Sequence, residues 1–159
     1  MNKSFVIAVV DDHPVVIEGL QKILLQHPHV KQVIEFHRGL EVLNHLQNTV
    51  LPVDIIFLDI TLPDIHGVDL CRKITELSPG TRVLGFSNHN DRALVLQLLS
   101  MGATGYVLKN ASAQEITTCL NEAMCQQLTF SNEIRAILAK PAADELRSVP
   151  PLTKRERQI

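Results

Sequence analysis

Five residues suited to handling phosphate and metal ions are spread along this chain: the neighbouring acids Asp11 and Asp12, then Asp59, Ser87 and Lys109. Each lies at the carboxyl end of a short apolar run, within or just after "FVIAVV", "DIIFLDI", "RVLGFS" or "GYVLK". Three carboxylates converging at one edge of a sheet repel one another, and burying them unpaired is costly. A cation is therefore expected among them. Oxygen ligands suit a hard divalent ion, and Mg²⁺ takes one or two carboxylates and a phosphate oxygen while keeping several waters. Mn²⁺ is the natural substitute. Lys109 supplies a point charge for a phosphate or a carboxylate, and the Ser87 hydroxyl can donate to a phosphoryl oxygen. These are the parts of a phosphoryl-transfer site. Asp59 stands alone at the end of its run and is the expected nucleophile, with Asp11 and Asp12 serving the metal. Thr61, just beyond Asp59, offers its backbone carbonyl as a further ligand.

Positioning these groups at one edge requires a sheet, and the apolar runs supply its strands. "FVIAVV" (5–10), "VIEF" (33–36), "DIIFLDI" (54–60), "RVLGFS" (82–87) and "GYVLK" (105–109) are rich in β-branched and aromatic residues. Three are continuously apolar, as strands buried on both faces of a parallel sheet must be. Helical periodicity fills the intervals: Val16, Leu20, Ile23 and Leu24; Leu40, Leu43 and Leu46; Cys71, Ile74 and Leu77; Ile116, Cys119, Leu120 and Ala123. Pro14 suits a first helical turn, and "LSPGT" and "MGATG" carry residues that stop helices. Five alternating strand–helix units imply a doubly wound α/β domain, whose sites form at the carboxyl ends of the strands.

Bulk properties narrow the class. The chain has 159 residues, 45% of them hydrophobic, and a formal net charge of −2. It has none of the basic footprint of a domain that grips nucleic acid itself. Cys71, Cys119 and Cys125 are odd in number and lack a C-x-x-C spacing, which points to a reducing cytoplasm. Cys119 and Cys125 read as buried thiols. No run approaches the ~18 apolar residues of a membrane span. The seven histidines are scattered singly, and His13 reads as a solvent-facing loop residue able to tune local charge. "ALVLQLLSM" (93–101) is apolar on more than one face, as a well-buried helix or a partner surface would be.

Four segments, "VVDDHPVVIEGL", "DIIFLDITLPDIHGVDL", "VLGFSNH" and "GATGYVLKNAS", resemble the receiver domain of two-component response regulators, and their mutual spacing agrees as well. The resemblance implies a flavodoxin-like (βα)5 fold with a five-stranded parallel sheet in the order 2-1-3-4-5. It implies that Asp59 accepts a phosphoryl group from a sensor histidine kinase, with Mg²⁺ held by Asp11, Asp12 and Asp59. It further implies that Lys109 contacts the phosphate and that Ser87 and Tyr106 form a switch pair. Many receivers place Pro after the Lys in a cis peptide, whereas this chain has Asn110.

The tail "PLTKRERQI" resembles the opening of the helix-turn-helix output domain of the LuxR/NarL-type subfamily, with Thr153 and Glu156 in capping-box spacing. The expected organisation is a receiver over 1–127, a linker over 128–151 with a short helix at 131–140 capped by Ser131, and the first residues of a DNA-binding domain over 152–159. DNA would be reached only through that domain, and a homodimer is an expected consequence of phosphorylation. Such a chain is a switch that catalyses only its own phosphotransfer and dephosphorylation. Two other classes compete. "LDITLP" superficially matches the D-x-D-x-T motif of aspartyl-phosphate phosphohydrolases, but Thr61 stands where the second Asp is needed as acid/base. An unphosphorylated pseudo-receiver would lack some of the acids present here.

Overall fold

The computed structural model describes residues 3–140; the expectations placed on 141–159, including the Thr153 cap, lie outside the described residues. Strands and helices alternate from the start: β1 (Phe5–Val10), α1 (Pro14–Leu25), β2 (Val30–Phe36), α2 (Gly39–Asn48), β3 (Ile55–Leu58) and α3 (Gly67–Leu77). They continue as β4 (Arg82–Ser87), α4 (Arg92–Ser100), β5 (Gly105–Leu108), α5 (Ala113–Met124), β6 (Thr129–Phe130) and α6 (Asn132–Leu138). The sheet is parallel throughout, in the order β2-β1-β3-β4-β5-β6. The expected order is therefore present with a sixth strand added at its edge, and the expected count of five is corrected. No peptide bond among the described residues is cis.

Side chains alternate across each strand, so one sheet divides the core in two. Ala8, Val10, Ile56 and Leu58 face α2, α3 and α4 through Val42, Leu70, Ile74, Val95 and Leu98. Ile7, Val9, Ile55 and Phe57 face α1 and α5 through Ile17, Leu20, Leu24, Ile116 and Leu120. Local signals mark the helix starts. Pro14 opens α1, and Ser112 with Glu115 makes a reciprocal capping box on α5. Cys71 and Cys119 are buried, whereas Cys125, expected inside, is exposed just past the end of α5. No helix among the described residues is long and apolar enough to cross a membrane.

The sixth strand is short but firmly seated. Gly105 pairs with Thr129 and Tyr106 with Phe130. A Cβ on Gly105 would collide with the Thr129 carbonyl, so the glycine permits the close approach. Thr129 is fully buried and its hydroxyl donates to Glu122 Oε1 at 2.6 Å. Ser131 holds the N-cap position of α6, but its hydroxyl accepts from the Leu108 amide at 3.1 Å instead of capping the helix. α6 then lies against α4. Ile134, Ile137 and Leu138 join the core beside Val95 and Leu98. Arg92 Nη1 donates to the Ile137 and Leu138 carbonyls at 3.0 and 3.2 Å, closing the carboxyl end of α6. Thus one side of the apolar α4 helix is covered by this chain's own α6, while Leu96 remains exposed.

Because Ile134 is fully buried, Ile134→Ala is expected to cost about 2–5 kcal/mol of unfolding free energy. Urea denaturation would measure this directly. A loss well below 1 kcal/mol would mean that α6 is not part of the cooperative unit.

Candidate functional site

The parallel ladder runs one residue past the ends of its strands, and this extension fixes the polar groups. The Asp11 amide donates to Phe36 O at 3.0 Å, the Asp59 amide to Val10 O at 2.9 Å, and the Lys109 amide to Ser87 O at 2.9 Å. Each residue is thereby locked in strand geometry at the carboxyl edge, although its side chain is polar. Gly67 closes the loop after β3. Its amide donates to Ile60 O at 2.7 Å, and a Cβ there would run into the Ile60 backbone. Asp64, in the same loop, accepts from the Gly39 and Leu40 amides at 2.9 Å each and so ties the loop to the start of α2.

Asp11, Asp12, Asp59 and Lys109 converge. Asp11 and Asp59 are buried, while the Asp12 side chain is 34% exposed at the rim. Lys109 is itself nearly enclosed, with Nζ 2.9 Å from Asp11 Oδ2 and 3.3 Å from Asp59 Oδ2. Neither carboxylate oxygen has a hydrogen bond of good geometry among the described residues. Asp59 Oδ1 accepts from the Thr61 amide at 3.3 Å and lies 3.5 Å from the Thr61 hydroxyl. Thr61 itself forms an isolated antiparallel bridge with His66.

One cation facing three acids leaves net negative charge in a desolvated pocket. Burial pushes the Asp59 carboxyl above its ordinary 3.8, the charge on Asp11 adds to this, and Lys109 opposes it. The donor set fits a hard divalent ion. Ligand atoms of Asp11, Asp12, Asp59 and also His13 lie within 4.8 Å of one another. His13 was not expected here. Half its ring is solvent-exposed, yet Nδ1 points into the acids, 2.8 Å from Asp11 Oδ1.

Ser87 and Tyr106 stand on the neighbouring strands β4 and β5. Both are buried, and both hold His89 in the β4–α4 loop. Ser87 Oγ accepts from the His89 amide at 3.0 Å, and the Tyr106 hydroxyl donates to the His89 carbonyl at 2.8 Å. The Tyr106 ring is turned inward and fully buried. Gly85 makes that form possible, because a Cβ there would lie 2.7 Å from Leu98 Cδ2 and 2.8 Å from Tyr106 Cδ2. Nothing in the run "RVLGFS" marked the glycine for this role. Burial also raises the Tyr106 hydroxyl above its ordinary 10.0.

The raised Asp59 value has a consequence for stability. Between 3.8 and the higher folded value, the folded chain keeps a proton that the unfolded chain has released. Stability therefore falls as pH rises through that window and stays lower above it. With divalent ions chelated, Asp59→Asn is expected to raise the denaturation midpoint at neutral pH, with the gain lost as pH falls through that window to 3.8. A neutral-pH midpoint at or below that of the parent would contradict this.

Comparison with known proteins agrees with the geometry. Residues 7–121 match the response regulator receiver domain. The transcriptional regulatory protein UhpA of Escherichia coli is 33% identical over 153 residues, an alignment covering 96% of this chain and 72% of UhpA. The nitrate/nitrite response regulator protein NarL of the same organism is 29% identical over 157 residues, with 96% and 72% covered. A crystal structure of a LuxR-family two-component response regulator from Aurantimonas sp. superposes with a TM-score of 0.79 at 27% identity, over 91% of this chain and 99% of that one. The chain belongs to the response regulator receiver domain family, and its similarity runs to the LuxR/NarL-type transcriptional regulators within it.

Proposed function

We propose that Asp59 is the phosphoacceptor of this receiver and that a sensor histidine kinase is the donor. One Asp59 carboxylate oxygen bonds to phosphorus as the P–N bond of the kinase phosphohistidine breaks. The departing imidazole nitrogen keeps the electron pair and takes up a proton. Asp11, Asp12, Asp59 and the Thr61 carbonyl would hold Mg²⁺ or Mn²⁺. When bound, the ion neutralises charge between the carboxylates and the phosphoryl oxygens. Lys109 already stands beside Asp59 and contacts the phosphoryl group once it is attached. The observation that carries this reading is the Lys109 ammonium held between the buried carboxylates of Asp11 and Asp59.

The new group brings roughly two negative charges. The Ser87 oxygen accepts from the His89 amide, and its hydroxyl proton is the group that a phosphoryl oxygen would engage. Donating that proton to a phosphoryl oxygen moves Ser87 and loosens its hold on the β4–α4 loop. Tyr106, gripping the other side of His89, re-sorts with it. The change then spreads to the surface around α4, β5 and α5, and a homodimer is an expected consequence of phosphorylation. An output domain of the helix-turn-helix type carries the DNA contact and the effect on transcription. The receiver turns over only its own phosphate. A general phosphohydrolase would need a second carboxylate where Thr61 stands, and a hydroxyl 3.5 Å from Asp59 Oδ1 does not replace it.

Beryllofluoride with Mg²⁺, a phosphate mimic, tests the assignment by isothermal titration calorimetry. The parent should bind it saturably, and Asp59→Ala should weaken binding by at least about 100-fold, or about 2.7 kcal/mol. Equal binding by the variant would overturn the role of Asp59.

A further inference from the structure

His13 is placed as a metal ligand would be. It sits at the N-cap position of α1, yet its side chain makes no capping hydrogen bond to the helix. Its backbone amide donates to Asp11 Oδ1 at 2.9 Å, and Pro14 begins the helix directly after it. These constraints turn the ring over the acid pocket. Nδ1 lies 2.8 Å from Asp11 Oδ1, 3.2 Å from Asp12 Oδ1 and 3.9 Å from Asp59 Oδ2. Around an octahedral ion with bonds of ~2.1 Å, neighbouring ligand atoms are ~3.0 Å apart and opposite ones ~4.2 Å. The three His13 separations are of this order, and the ligand atoms of all four side chains lie within 4.8 Å of one another. Lys109 Nζ faces Asp11 Oδ2 and Asp59 Oδ2 at 2.9 and 3.3 Å, so a single ammonium stands among three carboxylates and negative charge remains for a bound cation.

We infer that His13 Nδ1 is a fourth side-chain ligand, making this a mixed carboxylate–imidazole site that selects borderline first-row transition ions over Mg²⁺. The inference rests on the acid pocket being the receiver's metal site. An imidazole nitrogen adds little to the affinity for Mg²⁺, which prefers oxygen, but adds substantially for ions later in the Irving–Williams order. In the ion-bound form Nδ1 gives up its hydrogen bond to Asp11 and turns its lone pair to the metal. The apolar neighbours of Asp11 are unaffected, because the ring leans on the rim and 58% of it remains exposed.

The test compares Co²⁺ and Mg²⁺ binding by the parent and by His13→Ala, without any phosphodonor. Calorimetry should show Co²⁺ affinity falling by about tenfold or more in the variant, while Mg²⁺ affinity changes by less than about twofold. In the parent, proton NMR of the Co²⁺ form should show paramagnetically shifted imidazole resonances that vanish in His13→Ala. Circular dichroism of the variant checks that the fold is intact. Equal Co²⁺ affinities in the two proteins would overturn the role of His13 and leave the acid pocket standing. Failure of the parent to bind either ion would overturn the pocket itself as a metal site, and the inference with it.

Discussion

The ammonium of Lys109, wedged between the buried carboxylates of Asp11 and Asp59, is the interaction on which the site depends. Buried ion pairs are poor sources of stability, since each ion loses hydration worth several kcal/mol and the attraction only partly restores it. Their persistence at a sheet edge therefore needs a scaffold that leaves them no alternative. Here the scaffold is the hydrogen-bond ladder, which continues through the Asp11, Asp59 and Lys109 amides and fixes their Cα positions from three separate strands. The pocket remains anionic even so. Asp12 adds a third negative charge, and only one lysine opposes it. Burial raises the Asp59 carboxyl, the charge on Asp11 adds to it, and the excess negative charge suits the pocket to a cation.

A contiguous set of contacts leads from this edge to the far side of α4. Lys109 is bonded through its amide to Ser87 O, and Ser87 and Tyr106 hold opposite sides of the His89 peptide. The next residues of the same loop reach α6: Asn90 Nδ2 donates to Glu133 Oε2 at 2.9 Å, and Arg92 binds the last α6 carbonyls. Tyr106 also pairs with β6, from which α6 starts. The loop between β4 and α4 thus joins the charged pocket to the C-terminal helix through direct hydrogen bonds. Packed and hydrogen-bonded networks of this kind can carry energetic coupling between distant sites.

Much of this architecture is legible in the sequence, and the reasons differ by element. β1 and β4 coincide with their apolar runs because strands buried on both faces must be continuously apolar. The site residues follow from looking at the ends of those runs. β2 begins at Val30, earlier than its apolar part, because Lys31 and Gln32 lie at an exposed edge where no hydrophobic pattern is imposed. β6 escapes notice because a two-residue strand is too short to show a period, and it exists through its pairing with Gly105 and Tyr106. The inward ring of His13, the space left at Gly85 and the exposure of Cys125 are all tertiary facts. Each depends on which neighbour comes close in space, and spacing along the chain does not carry that information.

Where the phosphoryl group comes to rest is the most direct test of the whole account. The chain would be treated with a small acyl phosphate and Mg²⁺, the acyl phosphate on the protein reduced with borohydride, and the peptides mapped by mass spectrometry. The account predicts conversion of Asp59 alone to homoserine, at no more than one site per chain. Homoserine at Asp11 or Asp12, or a stable phosphate on a histidine with Asp59 unmodified, would contradict it.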